Sequence, residues 1–155
     1  MITADFETQA RRLLDFACQK IPLARALAMD YQHYDGQRLE LKLPLAPNIN
    51  DKGCAFGGSL ASAMTLTGWS LMELALRQAG ADCDVFVAES KIRYLAPIWE
   101  DSTSAAQPGE RADWTRFFAT LRRHGKARLM VSGEVLTAAG KRAATLEANY
   151  AAKRR

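Results

Sequence analysis

The stretch Asn50-Asp51-Lys52-Gly53-Cys54-Ala55-Phe56-Gly57-Gly58-Ser59, running directly into Leu60-Ala61-Ser62-Ala63-Met64-Thr65-Leu66-Thr67-Gly68-Trp69-Ser70-Leu71-Met72, decides how this chain folds. From Gly53 to Met72 there are twenty consecutive residues without a charge, long enough for a membrane span of about 20 residues. Nine of them are Gly, Ser or Thr, which suits a small-faced helix packed inside protein and not one facing lipid. The spacing predicts a helix from Ser59 to Gln78, with its charges only near the end at Glu73 and Arg77 and with Gly80 as the residue that stops it. A helix apolar around most of its circumference must be covered on most sides. The rest of the chain therefore has to supply a wrapping layer.

The flanking sequence reads as that layer. Upstream, Phe6, Ala10, Leu13, Leu14 and Ala17 recur at helical spacing, predicting an amphipathic helix over Thr3 to Lys20 that Thr3 or Asp5 caps and Pro22 ends. Leu23 to Tyr34 and Arg38 to Leu43 flank Asp35-Gly36 and read as a hairpin, its second arm alternating Leu39, Leu41 and Leu43 with charged residues. Pro44 and Pro47 break the pattern, and a loop from Asn48 to Gly58 leads to the buried helix. Downstream, Asp84 to Pro97 predicts a long strand with Phe86, Ala88, Ser90, Ile92 and Tyr94 on one face, and Thr103 to Gln107 a short one. Trp114, Phe117, Phe118 and Leu121 give a second amphipathic helix over Glu110 to Arg123, ended by Gly125. Ala127 to Thr137 and Lys141 to Ala151 close the chain as two strands joined through Ala139-Gly140. Hairpins dominate over βαβ alternation, so the class is α+β: an antiparallel sheet around one buried helix.

Composition agrees and removes several functions. With 155 residues, 48% hydrophobic and 25% charged, the chain is sized and mixed for one folded domain, without repeats or linkers. Cys18, Cys54 and Cys83 form no CxxC pair, and only His33 and His124 exist, so neither a disulfide framework, a metal centre nor a Ser/His/Asp triad is expected. Met1 to Arg12 has Asp5 and Glu7 before any basic residue and no apolar h-region, which predicts a cytoplasmic protein. Residues 1–110 carry 10 basic and 14 acidic groups, net −4, whereas 111–155 carry 11 and 3, net +8. That basic end lacks any zinc-finger, basic-zipper or RNA-recognition pattern, so nucleic acid is not expected, and it reads either as a solvated face or as a place for phosphates.

The loop before the helix carries the chemistry. Gly57 and Gly58 allow close approach of another backbone or a ligand, and they place free N–H groups at the positive end of the helix dipole, where an anion or a polarised carbonyl oxygen is stabilised. The alternative is that they only permit a tight turn. Asn-x-x-Gly-x-x-x-Gly-Gly at Asn50 to Gly58, followed by Ile92-Arg93-Tyr94-Leu95-Ala96-Pro97, resembles the hot-dog acyl thioesterases. Pro47 to Gly53, Ala55 to Ser59 and Gly125 to Leu129 are similar to the thioesterase family typified by the YiiD C-terminal domain, over Arg25 to Ala151.

That resemblance implies a hot-dog fold across 1–155, with an N-terminal helix at 1–22 and the core at 23–151. It also implies a homodimer, with a dimer of dimers left open beside it, and an acyl-CoA or acyl-carrier-protein thioester as substrate with no separate cofactor. In the wider group the motif reads Asn-x-x-Gly-x-x-His-Gly-Gly, with an acid nine positions after the histidine. Here Phe56 and Thr65 hold those two places, and Glu73 and Glu89 stay open as substitute bases. The implied roles are Gly57 and Gly58 N–H on the oxyanion, Asn50 on carbonyl or water, and Thr65 with Ser59 on water. Phe56 lies against the substrate, and Lys126 and Arg128 meet carrier phosphates. Cys54 is not expected to be a nucleophile. The Trp114-to-Leu121 stripe reads as core or as the wall of an acyl tunnel. A sensor that binds acyl thioesters without turnover is the second reading, and a hydratase the third.

Overall fold

A computed structural model describes residues 2–155, with side chains described for residues 5–155. Helix α1 spans Ile2–Lys20 and its buried stripe is Ala10, Leu13, Leu14 and Ala17, as the spacing requires. Asp5 lies inside the first turn, where it bonds Gln9, and does not cap; the Thr3 side chain is outside the described set. The first correction follows at once. Pro22–Leu27 is a short helix, α2, and not a strand: Pro22 occupies its first turn, Ala24 and Leu27 are buried three residues apart, and Ala28 ends it in the left-handed region at φ 55°. The hairpin is thus confined to β1, Asp30–Tyr34, and β2, Leu39–Leu43. Leu39, Leu41 and Leu43 turn inward while Glu40 and Lys42 face out.

A 3-10 turn at Ala46–Asn48 leads to α3, Gly57–Gln78, which starts two residues before Ser59. Its buried residues include Leu60, Met64, Leu71, Met72, Leu74 and Leu76, spread around the helix. Gly80 follows the Ala79 cap with φ 67°, a backbone that favours glycine. Then come β3, Cys83–Tyr94; β4, Ser102–Pro108; α4, Trp114–His124; β5, Lys126–Leu136; and β6, Arg142–Arg154. Helix α4 starts at Trp114 and not Glu110, because Asp113 accepts a hydrogen bond from the Arg116 N–H and fixes the cap.

The six strands form one antiparallel sheet in the order β1-β2-β4-β5-β6-β3, and α3 lies across its inner face. This is the α+β hot-dog arrangement. One buried cluster runs from α1 through α3 to β6, so the N-terminal helix shares the core. Inside it the Thr67 hydroxyl donates to the Ala63 carbonyl and lies 2.7 Å from the Ser104 hydroxyl, tying α3 to β4 without an unpaired polar atom. Among the described residues, no helix is long and apolar enough to cross a membrane.

Strand β3 departs from simple alternation. Its register with β6 shifts between Val87 and Glu89, so Val87 pairs with Tyr150 while Ser90, Ile92 and Tyr94 pair with Ala148, Leu146 and Ala144. A bulge adds one residue and resets which side chains share a face. Phe86 therefore lies on the outer face, opposite to Ser90, Ile92 and Tyr94, and is not on their side as alternation predicts.

Candidate functional site

The loop before α3 is pinned at several points. Asn48 is buried; its amide Nδ2 donates to the carbonyls of Leu27 and Pro44, both at 2.9 Å, and its own carbonyl accepts from the Phe56 N–H at 2.7 Å. Asn50 Oδ1 accepts from the backbone N–H groups of Lys52 and Cys54, and Nδ2 donates to the Cys54 sulfur at 3.2 Å. The Ala55 N–H reaches the Ile98 carbonyl at 2.8 Å. A side chain that satisfies its own loop in this way shapes the turn first. Cys54 is a buried acceptor within that turn.

These ties deliver the chain to α3 in a fixed direction. Leu60 N–H to Phe56 carbonyl, at 3.1 Å, is the first bond of the helix, so the N–H groups of Gly57, Gly58 and Ser59 precede it and point outward. Phe56 stands at the cap position with no side-chain cap bond. Its ring, 55% exposed, folds back over Gly58, where a Cβ would lie 2.5 Å from Phe56 Cε2. Tyr94 at the end of β3 donates its hydroxyl to the Gly57 carbonyl at 3.3 Å, and its ring lies against Gly57. Three donors at the positive end of a 22-residue helix are thus framed by two aromatic rings.

Further along α3, from Ala61 to Trp69, lies an apolar cavity of about 330 Å³. Ser62, Thr65, Leu66 and Trp69 supply one wall, and Ile21 and Leu23 beside α2 the facing one. Val87 and Tyr150 close the side. No charged residue lines it; its polar side chains are the hydroxyls of Ser62, Thr65 and Tyr150 and the Trp69 indole. Thr65 is about 12 Å along the helix from Gly57, by the rise per residue. The Tyr150 hydroxyl donates to the Thr65 carbonyl at 2.7 Å, and its ring occupies the place that a Cβ on Gly68 would need. Burial pushes the Tyr150 phenol above its ordinary range, against the opposing pull of the Trp69 backbone N–H.

The structure thus groups Phe56, Gly57, Gly58 and Ser59 at the helix start, with Asn50 in the loop behind them and Thr65 in the adjoining cavity. Lys126 and Arg128 lie elsewhere. Arg128 pairs with Ala151, which pairs with Phe86, whereas the helix start is at Tyr94, eight residues further along β3 and about 26 Å away at the usual strand rise. Neither substitute base faces the cavity within one chain. Glu73 is two turns beyond Thr65, 8% exposed, with Arg77 Nε donating to it at 3.4 Å. Burial raises its carboxyl above the usual range and Arg77 partly offsets this. Glu89 is exposed on the outer face. The Trp114, Phe117, Phe118 and Leu121 stripe is core beside the C-terminal end of α3, with its rings packed on one another, and it walls no acyl cavity. Asn48, Ser62, Tyr94 and Tyr150 are additions that sequence reading missed. Only Tyr94, within the Ile92-to-Pro97 motif, carried a signal.

A family model described as "Putative thioesterase (yiiD_Cterm)" matches residues 10–154. Among solved structures, a Chlorobaculum tepidum protein of unknown function is similar at 27% identity, with 94% of each chain covered and a TM-score of 0.88. A protein described as the putative thioesterase from Shewanella oneidensis is similar at 26% identity, covering 96% of this chain and 99% of its own, TM-score 0.84. A Pseudomonas aeruginosa protein described as a probable thioesterase shares the fold at 22% identity, with 94% of each chain covered and a TM-score of 0.78.

Proposed function

The chain belongs to the thioesterase family named for the YiiD C-terminal domain, and from that premise we propose that it hydrolyses an acyl thioester of coenzyme A or of an acyl carrier protein to the free acid and thiol. The observation that carries this reading is that α3 offers three outward N–H donors at its start and an uncharged cavity further along the same helix, from Ala61 to Trp69. The acyl chain occupies the cavity, and the thioester carbonyl oxygen sits at the Gly57 and Gly58 N–H groups. Thr65 lies too far along α3 from the Gly57 and Gly58 N–H groups of its own copy to hold the water that attacks there, so in the homodimer that water is oriented by the partner subunit's Thr65. It attacks the carbonyl carbon, and the negative charge that develops on oxygen is met by those donors and the helix dipole. The C–S bond then breaks, the carbonyl re-forms, and the proton lost by the water passes to the departing sulfur. The coenzyme belongs to the substrate, so no separate cofactor is required.

The enzyme acts in the cytoplasm as a homodimer, in which two β3 edges pair antiparallel. Antiparallel pairing sets the Cys83 end of one copy against the Tyr94 end of the other. The basic start of β5 in one copy thereby comes beside the α3 start of its neighbour, which restores Lys126 and Arg128 to a role near the substrate.

Thiol release from a panel of straight-chain acyl-CoAs tests the reading, with binding to the same panel measured in parallel. Thr65→Ala is expected to lower the rate by about 10-fold to 10³-fold while sparing most of the binding. If Thr65→Ala keeps wild-type kcat/KM on the best substrate, the assignment of Thr65 to water is wrong. A second reading, an acyl-thioester binding protein, is favoured by the cavity wall itself, which has hydroxyls but no carboxylate or imidazole. Tight binding without turnover would select it.

A further inference from the structure

Around α4 and the starts of β5 and β3, away from the α3 start, lies a ridge of cations, of which Arg155 alone is ion-paired among the described residues. Elsewhere on the outer sheet face Arg38 bonds Glu40 at 2.8 Å and Glu134 at 3.0 Å, and Arg142 bonds Glu134 at 2.9 Å, with Arg93 exposed and in no ion pair among the described residues. Around α4, by contrast, no ion pair among the described residues reaches Arg116, Arg122, Arg123, Lys126, Arg128 or Lys153, all of them exposed. Lys126 and Lys153 are direct register partners across β5 and β6. Like charges set opposite one another work against the sheet, and Asp84, the partner of Lys153 on β3, bonds Arg155 instead. Helix α4 stands as a ridge between two shallow grooves of about 810 and 710 Å³. The first is lined by Arg111, Arg116 and Arg128 together with Glu110, Asp113 and Glu147, the second by Arg122, Arg154 and Arg155 with Asp82 alone, so the excess of cations lies on the ridge and the second groove.

We infer that this ridge docks a small acidic protein, and that the acyl thioester reaches the enzyme on such a carrier and not on free coenzyme A. The inference rests on the thioester-hydrolase reading and names its substrate class. A small phosphate-bearing ligand needs groups that converge on a concavity. These cations are spread over a helix of 11 residues, about 16 Å long, the grooves on both sides of it and the rim of two strands, a wider area than one phosphate group spans, which suits a broad partner surface of opposite sign. A single-stranded nucleic acid would call for exposed stacking rings among the cations, but Trp114, Phe117 and Phe118 pack against one another instead. In the β3-paired dimer the ridge of one copy lies at the same end as the neighbour's α3 start. Lys153 is then one strand and Lys126 two strands from the seam, roughly 5 and 10 Å. A docked carrier would present its thioester there.

The test compares octanoyl thioesters of an acidic acyl carrier protein, of coenzyme A and of uncharged pantetheine, with each rate expressed relative to pantetheine. The carrier should be preferred over coenzyme A by about 10-fold or more, and the preference should shrink as salt rises from about 50 to about 300 mM. Arg122→Glu/Arg123→Glu should cut the carrier-to-pantetheine ratio by about 10-fold or more, chiefly through KM, while Lys42→Glu on the far strand β2 should not. An unmoved ratio, an equal loss in Lys42→Glu, or coenzyme A serving as well as the carrier overturns the inference. If no thioester is cleaved, the hydrolase reading has failed, and calorimetric titration with the unacylated carrier decides the docking surface alone: binding lost in the double variant supports it, no binding overturns it. A 20-mer RNA or anionic vesicles bound more tightly than the carrier, through the same arginines, would also overturn it.

Discussion

Gly58 is held by a neighbour before it is held by any ligand. A side chain there meets the Phe56 ring first, and that ring is the movable end of an exposed side chain. Gly58→Val should therefore lower both melting temperature and activity. In a Phe56→Ala background the stability loss should largely disappear, and whatever activity loss persists measures close approach of the thioester; a double-mutant cycle read by thermal denaturation and thiol release separates the two. Thr65 offers a sharper test of what limits the rate. Thr65→Asp puts a carboxylate into an uncharged cavity, where burial raises its pKa and makes it a better base near neutrality. The rate should rise, with a sigmoidal pH profile absent from the wild type; a flat, unaccelerated profile would show that a base is not what is missing. Glu73 gives the pH signature of stability. Its folded pKa is raised, so the folded state holds its proton more tightly than the unfolded chain. Stability is then favoured at low pH and is lost as pH rises through the window from the ordinary value of 4.5 up to the folded one. Urea unfolding across that window should show Glu73→Gln gaining on the wild type as pH rises, and parallel curves would refute the assignment.

At the scale of elements, what could be read from the sequence was what local spacing controls. The long uncharged helix, the Leu39-Leu41-Leu43 alternation and the glycine stops at Gly80 and Gly125 all stand where their patterns put them. Pro22–Leu27 escaped because six residues are too few to show a period, and a helix that short exists only because Ala24 and Leu27 find a surface to bury against. The reset at β3 escaped for a different reason. Phe86, Ala88, Ser90, Ile92 and Tyr94 alternate faultlessly in sequence, and the extra residue is visible only in pairing with β6. The site was legible where it is one contiguous loop, Asn50 to Ser59, and illegible where the fold brings Tyr94 and Tyr150 to it from strands 37 and 85 residues away from their partners Gly57 and Thr65. Helix α4 offers a direct check of local control. Asp113 accepts from the Arg116 N–H at 3.1 Å, so Asp113→Ala should cost about 1 kcal/mol in denaturant unfolding, while Asp113→Ser should cost little.

For the molecule as a whole, the exposed side of β3 is what an isolated chain tolerates least. Phe86 is 58% exposed, Val87 44% and Tyr94 56%, on the edge strand of a six-stranded sheet. Long apolar edges invite pairing, and natural proteins cover them. Val87→Lys should convert the proposed homodimer to a monomer by light scattering and also lower thiol release, because Val87 borders the cavity beside Thr65; a stable wild-type monomer would remove the dimer from the account. The position of β6 has a consequence for how the protein is made. Arg142–Arg154 follows every other element in the chain, yet it lies between β5 and β3, and its Tyr150 fills the notch that Gly68 leaves in α3. While a ribosome is still adding those residues, β3 has emerged without its neighbour and α3 has not received its wedge. At ordinary elongation rates the 60 residues from Tyr94 to Arg154 take roughly 3 to 12 s, and throughout that interval the nascent chain carries its stickiest strand bare, a natural substrate for chaperones.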